Sequence, residues 1–106
     1  MNIKTIDINA LEWFDKINGN SYFAGNIILN YGLPDEKHYI MPYEYGYGEH
    51  YIDGAFSLLI KINVISDHEK YSNGGQEAIW KYCQRKGIIL RTNKQKNCKK
   101  RELLNI

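Results

Sequence analysis

The stretch that most restricts the fold lies between Ser21 and Tyr45. From Ser21 to Tyr31 aromatic and β-branched residues alternate with small or polar ones, which places Phe23, Ile27 and Leu29 on one face of a strand. Gly32-Leu33-Pro34-Asp35-Glu36-Lys37 then supplies turn chemistry, with Pro34 fixing φ and Asp35 able to bond back to the backbone. The chain returning from His38 to about Tyr45 puts Tyr39, Met41, Tyr43 and Tyr45 on one face and His38, Ile40, Pro42 and Glu44 on the other. Two such runs around a turn predict a β-hairpin. Pro42 lacks an amide hydrogen and therefore sets the second strand at an edge or a bulge.

The flanking sequence predicts helices. Asn9 suits an N-cap, Glu12 follows three residues later as in a capping box, and Leu11, Phe14 and Ile17, joined by Ala10 and Trp13, mark a buried face that Gly19 ends. Glu49 to Ile65 predicts a second helix through Ile52, Ala55, Phe56, Leu59, Ile60 and Val64. Gly54 weakens that helix, and the alternation from Leu58 to Val64 suits a strand equally. After a linker from Ser66 to Gly75, a helix from Gln76 to Lys86 buries Ile79, Tyr82 and Cys83 with Trp80 beside them, and Gly87 stops it. Ile88-Ile89-Leu90 is a short strand, and Thr92 with Gln95 resembles a capping box opening a last helix that runs to Leu104. The expected fold is a small single α+β domain over residues 1–106: a β-hairpin, or a three-stranded antiparallel sheet, packed against three to four helices, with a basic C-terminal segment at 91–106.

At 106 residues and 12.4 kDa the chain has no room for a multi-domain enzyme. Its apolar stretches fall short of the roughly 20 residues of a membrane span. Its first residues carry no basic segment leading into an apolar one, so a cytoplasmic protein is expected, in the host cell if the chain is phage-encoded. Cys83 and Cys98 are the only cysteines and read as two reduced thiols. His38, His50 and His68 lack the close spacing of a zinc site, so no metal and no cofactor is expected. For catalysis, His50, Asp53, His38, Glu49 and Cys83 can be assembled only on paper, and neither Ser21 nor Ser57 stands in a Gly-x-Ser-x-Gly elbow. No catalytic residue is assigned.

The densest constellation of chemistry is Tyr39, Tyr43, Glu44, Tyr45, Gly46, Tyr47, Gly48, Glu49, His50 and Tyr51. Tyrosines give a large rigid contact area with a polar tip, and glycines let a backbone come close, which together suit a recognition surface. The same rings would also serve as half-buried packing. Gly46-Tyr47-Gly48 is a poor phosphate loop, because Glu49 would compete with a phosphate for the helix N-terminus. Charge is polarised along the chain. Residues 1–80 carry 5 Lys and no Arg against 11 Asp and Glu, whereas residues 81–106 carry 9 Lys and Arg against Glu102 alone. Lys94, Lys96, Lys99, Lys100 and Arg101 are candidates for contacts with phosphates or an acidic surface, or form a solvated face.

Glu12-Trp13-Phe14-Asp15-Lys16, Gly19-Asn20-Ser21-Tyr22-Phe23, Pro42-Tyr43-Glu44-Tyr45-Gly46-Tyr47-Gly48 and the ending Asn97-Cys98-Lys99-Lys100-Arg101-Glu102-Leu103 together resemble a group of small bacteriophage and prophage proteins. The resemblance spans most of the chain and implies a genetic setting in which small accessory proteins bind and disable a host defence or a host enzyme. It makes Asn20, Ser21 and Tyr22, together with Tyr43, Tyr45, Tyr47, His50 and Tyr51, joint candidates for one partner-binding surface. Three function classes follow: a non-enzymatic binder of a host or defence protein, a nucleic-acid-binding module using the basic segment and the tyrosines, and a binder or hydrolase of a small nucleotide signal.

Overall fold

The computed structural model describes residues 2–106. Its elements run β1 (Thr5–Asp15), β2 (Asn20–Leu29), β3 (Lys37–Tyr45), α1 (His50–Lys61), α2 (Ile79–Lys86), β4 (Ile89–Gln95) and α3 (Lys100–Leu104). The strands form one mixed sheet in the order β3-β2-β1-β4. β1, β2 and β3 are an antiparallel meander, and the chain then crosses over through α1 and α2 to lay β4 parallel to β1. The expected architecture is therefore overturned: the sheet has four strands, it is mixed, and only three short helices accompany it. What stands is a small α+β domain.

The first predicted helix is a strand. Ile6, Ile8 and Ala10 are buried at a period of two and pair with Leu29, Ile27 and Gly25 of β2. The helical spacing of Leu11, Phe14 and Ile17 is coincidental, since Phe14 is 47% and Ile17 94% exposed. Asn9 caps nothing; its Nδ2 donates to Asn26 Oδ1 across the strand pair at 3.0 Å. Gly19 does take a left-handed φ of 71°, but in the β1–β2 turn, where its N–H donates to the Asp15 carbonyl at 2.7 Å.

The second misplaced element is at the other end of the chain. Thr92 and Gln95 lie within β4 and open no helix, and the last helix is the single turn and a half of α3, where the Glu102 carboxylate accepts the Lys99 N–H at 2.8 Å. α1 follows its apolar spacing but stops at Ile62, because Asn63 turns to φ 63° and the Leu59 carbonyl accepts the Val64 and Ile65 N–H groups. α2 is shorter than expected, with Gly87 as its left-handed cap and Trp80 58% exposed.

α1 and α2 cover one face of the sheet. Ile6, Ile8, Phe23, Ile27, Leu29 and Met41 meet Ala55, Phe56, Leu59, Ile79 and Tyr82 there, in the main core. On the opposite face α3 covers only one end, where Leu103 and Cys98 pack on Ala24 with Leu11, Trp13, Tyr22 and Tyr43 around them. The rest of that face is open. Gly25 permits the close pairing at the sheet centre, since a Cβ there would stand 1.9 Å from the Asn9 carbonyl oxygen. Cys83 and Cys98 are buried in the two separate clusters as free thiols. Among the described residues, no helix is long and apolar enough to cross a membrane.

Candidate binding surface

Three neighbouring strands bring three rings together on the open face. Trp13 and Tyr22 are register partners on β1 and β2, and their rings stack at 5.6 Å and 26°. Tyr43 of β3 stacks on the far side of Tyr22 at 5.1 Å and 9°. A β-bulge makes this possible. The register passes from Phe23↔Glu44 to Gly25↔Met41, so Pro42 and Tyr43 together oppose Ala24. The extra residue flips the parity of β3: Tyr39 and Met41 point to the helix side, while Tyr43 and Tyr45 turn to the open face. The expectation that all four share one face is corrected accordingly, and Pro42 stands both in a bulge and on an edge strand.

The relay continues past the sheet. Tyr45 meets Tyr22 edge-on at 5.7 Å, and Tyr47 meets Tyr45 at 5.3 Å. Tyr45 Oη donates to Tyr47 Oη at 2.8 Å, and Tyr47 Oη donates to Asn20 Oδ1 at 3.3 Å. The hydrogen bond to Tyr47 holds the Tyr45 phenol above its ordinary pKa, and burial does the same for Tyr43, so both stay neutral near pH 7. Gly46 is what lets the chain leave the sheet here. A Cβ at that position would lie 2.5 Å from the His50 ring and 2.7 Å from Phe23.

The basic segment arrives at the same end. Beyond β4 the Cys98 N–H donates to the Glu12 carbonyl at 3.0 Å, which seats the start of α3 against β1. Lys100 Nζ then stands 5.5 Å from the Trp13 ring centroid. A groove of about 460 Å³ runs beside it, lined by Trp13, Phe14, Lys16, Ile17, Lys99 and Lys100. Lys96, Lys99, Lys100 and Arg101 are exposed. Asp15 is the acidic member of this end; the Asn18 side-chain amide holds its carboxyl below the usual range, helped by the Asn18 and Ile17 N–H groups.

Of the residues singled out from the sequence, Asn20, Tyr22, Tyr43, Tyr45 and Tyr47 thus share one patch, with Lys99 and Lys100 beside Trp13 at its border, and Lys96 and Arg101 are exposed on the same C-terminal segment. Four do not join the patch. Ser21 is buried, and its carbonyl accepts the Gly46 N–H at 3.0 Å. His50 opens α1 on the helix side, edge-on to Phe23 at 5.9 Å. Tyr51 is a core residue, 4% exposed. Lys94 is held by Glu12 and by the Gly48 carbonyl under the Tyr51 ring. Trp13 belongs to the patch but reads from the sequence as a helix residue. The signal that finds it is its distance from the Asp15–Asn20 turn, which matches that of Tyr22 once β1 is taken as a strand.

The chemistry on offer is contact chemistry. Within the sheet Tyr22 is stacked by Trp13 on one side and Tyr43 on the other, whereas Tyr45 and Tyr47 meet their neighbours edge-on and stand half exposed. Phenol tips, ring edges, part of the outer rings and ammonium groups therefore point outward. A separate depression of about 370 Å³ lies between β3 and α1, lined by Phe23, Met41, Glu44, His50 and Asp53 among others. Its two carboxylates, Glu44 and Asp53, outnumber the one ammonium in the lining, Lys61, which makes it a poor match for a phosphate. Among the described residues no three His, Cys, Asp or Glu side chains converge as a metal site. No family model matches the chain, and no match appears among curated proteins or solved structures.

Proposed function

We propose that the chain is a non-enzymatic binding protein of the phage accessory type, acting on a host or defence protein through the aromatic end of its sheet. The contact residues are Asn20, Trp13, Tyr22, Tyr43, Tyr45 and Tyr47, with Lys96, Lys99, Lys100 and Arg101 as a cationic flank. The observation that carries this reading is the single relay from Trp13 to Tyr47, whose outermost rings, Tyr45 and Tyr47, are each half exposed. Rigid phenol edges beside ammonium groups fit an acidic protein surface with hydrogen-bond acceptors. The phage setting and the anti-defence role rest on the sequence resemblance.

A second reading is supported by Lys100 over Trp13: a single-stranded nucleic acid tracking the cations and the rings. The mutual stacking of Trp13, Tyr22 and Tyr43 favours the protein partner, because it takes up ring faces within the sheet and leaves Tyr45 and Tyr47 as the main platforms for bases. The dependence of binding on salt separates the two. Phosphate contacts give an affinity that falls steeply with salt, with a slope near the number of phosphates neutralised, and a protein partner gives a shallower dependence.

A further inference from the structure

The two edges of the sheet are built differently. β3 is closed by Pro42, which offers no N–H, and by the bulge opposite Ala24. β4 has neither device. The Ile89 N–H donates inward to the Lys4 carbonyl at 3.0 Å. By the alternation of a parallel ladder, Leu90, Thr92 and Lys94 therefore turn their N–H and C=O groups outward. The cations of β4 do not guard this edge either, since Asp7 holds Arg91 at 2.7 Å and Glu12 holds Lys94 at 2.9 Å.

Next to the open edge, on the helix side, a cleft of about 320 Å³ lies between α1, α2 and β4. Ile52, Ile79 and Leu90 form its floor, and the exposed Trp80 forms one wall. Glu49 and Asp53 stand at its rim, and neither carboxylate has a hydrogen-bond or ion-pair partner among the described residues. We infer that β4 is a strand-addition site for an extended, basic peptide segment of a protein partner. The segment pairs with the outward groups of Leu90, Thr92 and Lys94 and seats an aliphatic side chain against Ile52, Ile79 and Trp80. Alternate residues of an added strand share a face. A lysine or arginine two positions along the segment then meets Glu49 and Asp53. Charge complementarity selects this occupant over a second copy of the chain, whose β4 cations are already neutralised by Asp7 and Glu12. This surface is additional to the aromatic end, and its test does not involve the tyrosines.

The probe is a fluorescein-labelled peptide of sequence Thr-Leu-Thr-Arg-Thr-Val-Thr, titrated into the full chain and followed by anisotropy, Trp80 emission and amide exchange. The expected result is saturable binding, a blue shift of the exposed Trp80, and new protection at the Leu90, Thr92 and Lys94 amides. A peptide N-methylated at alternate backbone nitrogens, a version with glutamate for arginine, and the Trp80→Ala variant each weaken binding by about tenfold or more. Thr92→Pro removes one outward donor and weakens binding likewise, with circular dichroism reporting whether the variant folds. The inference is overturned by any of three results: no saturation up to about 1 mM peptide, binding indifferent to N-methylation, or a free chain that dimerises with protection of these same amides.

Discussion

Lys94 Nζ lies 2.9 Å from Glu12 Oε2 and 2.8 Å from the Gly48 carbonyl, so one ammonium ties β4 to β1 and to the glycine-flanked tyrosine loop. The two side chains are only 11% and 15% exposed. Removing one partner leaves a poorly solvated charge behind. Lys94→Ala is therefore expected to lower stability by about 2–4 kcal/mol in urea denaturation, well beyond an ordinary surface change. Lys96→Ala, on an exposed side chain, stays within about 0.5 kcal/mol of the parent.

Asn30 predicts a second large effect. It is fully buried at φ 54°, accepts the Lys4 N–H at 2.6 Å and the Thr5 N–H at 3.3 Å, and donates to the Asn2 carbonyl at 2.9 Å. Asn30→Ala strands these groups and strains the left-handed backbone, for an expected loss of about 3 kcal/mol. Asn30→Gly relieves the strain but not the lost bonds, and its measured stability should fall between the two.

Acid should loosen the loop before α2. A hydrogen bond from Lys86, then one from Tyr82, pulls the Asp67 carboxyl down to about 2. Because the folded value is depressed, its stabilising contribution is complete above the unfolded carboxyl pKa of about 4 and is lost as the pH falls toward the folded value. Asp67 is half exposed, so screening limits the effect to about 1 kcal/mol or less. Denaturation curves taken across that acidic window should be steeper in pH for the parent than for Asp67→Asn.

The two thiols should be silent in the folded protein. Burial pushes the Cys83 thiol up to about 11, and Cys83 and Cys98 are 2% and 6% exposed. Titration with an aromatic disulfide reagent should give slow labelling in buffer and rapid labelling of both cysteines in denaturant.

The central hairpin was legible because Phe23, Ile27 and Leu29 alternate and the 30–36 turn contains Gly32, Pro34 and Asp35. α1 was legible from Ile52, Ala55, Phe56 and Leu59. β1 was not, because Asn9, Glu12 and Gly19 imitate helix caps around a helical spacing, while the deciding period of Ile6, Ile8 and Ala10 begins before them. β4 was hidden by its polar run from Arg91 to Gln95, whose cations are satisfied by carboxylates of β1 far away in sequence. The tyrosine patch was half legible. Composition pointed to Tyr43, Tyr45 and Tyr47, but only the bulge at Pro42 and the register of Trp13 with Tyr22 decide which rings share a face. Tyr51 and His50 follow Gly46 round the corner onto the helix side, a change of direction that adjacency in sequence conceals.

The most direct test of the proposed surface is nuclease-treated affinity capture from a bacterial host lysate with the parent chain and with Tyr45→Ala/Tyr47→Ala, quantified by mass spectrometry. Both substitutions lie on half-exposed side chains, so the double variant should keep its stability within about 1 kcal/mol. A protein retained by the parent after nuclease treatment and lost by the folded variant is the predicted result. A protein captured equally by both, or bound material that vanishes with nuclease, would contradict it.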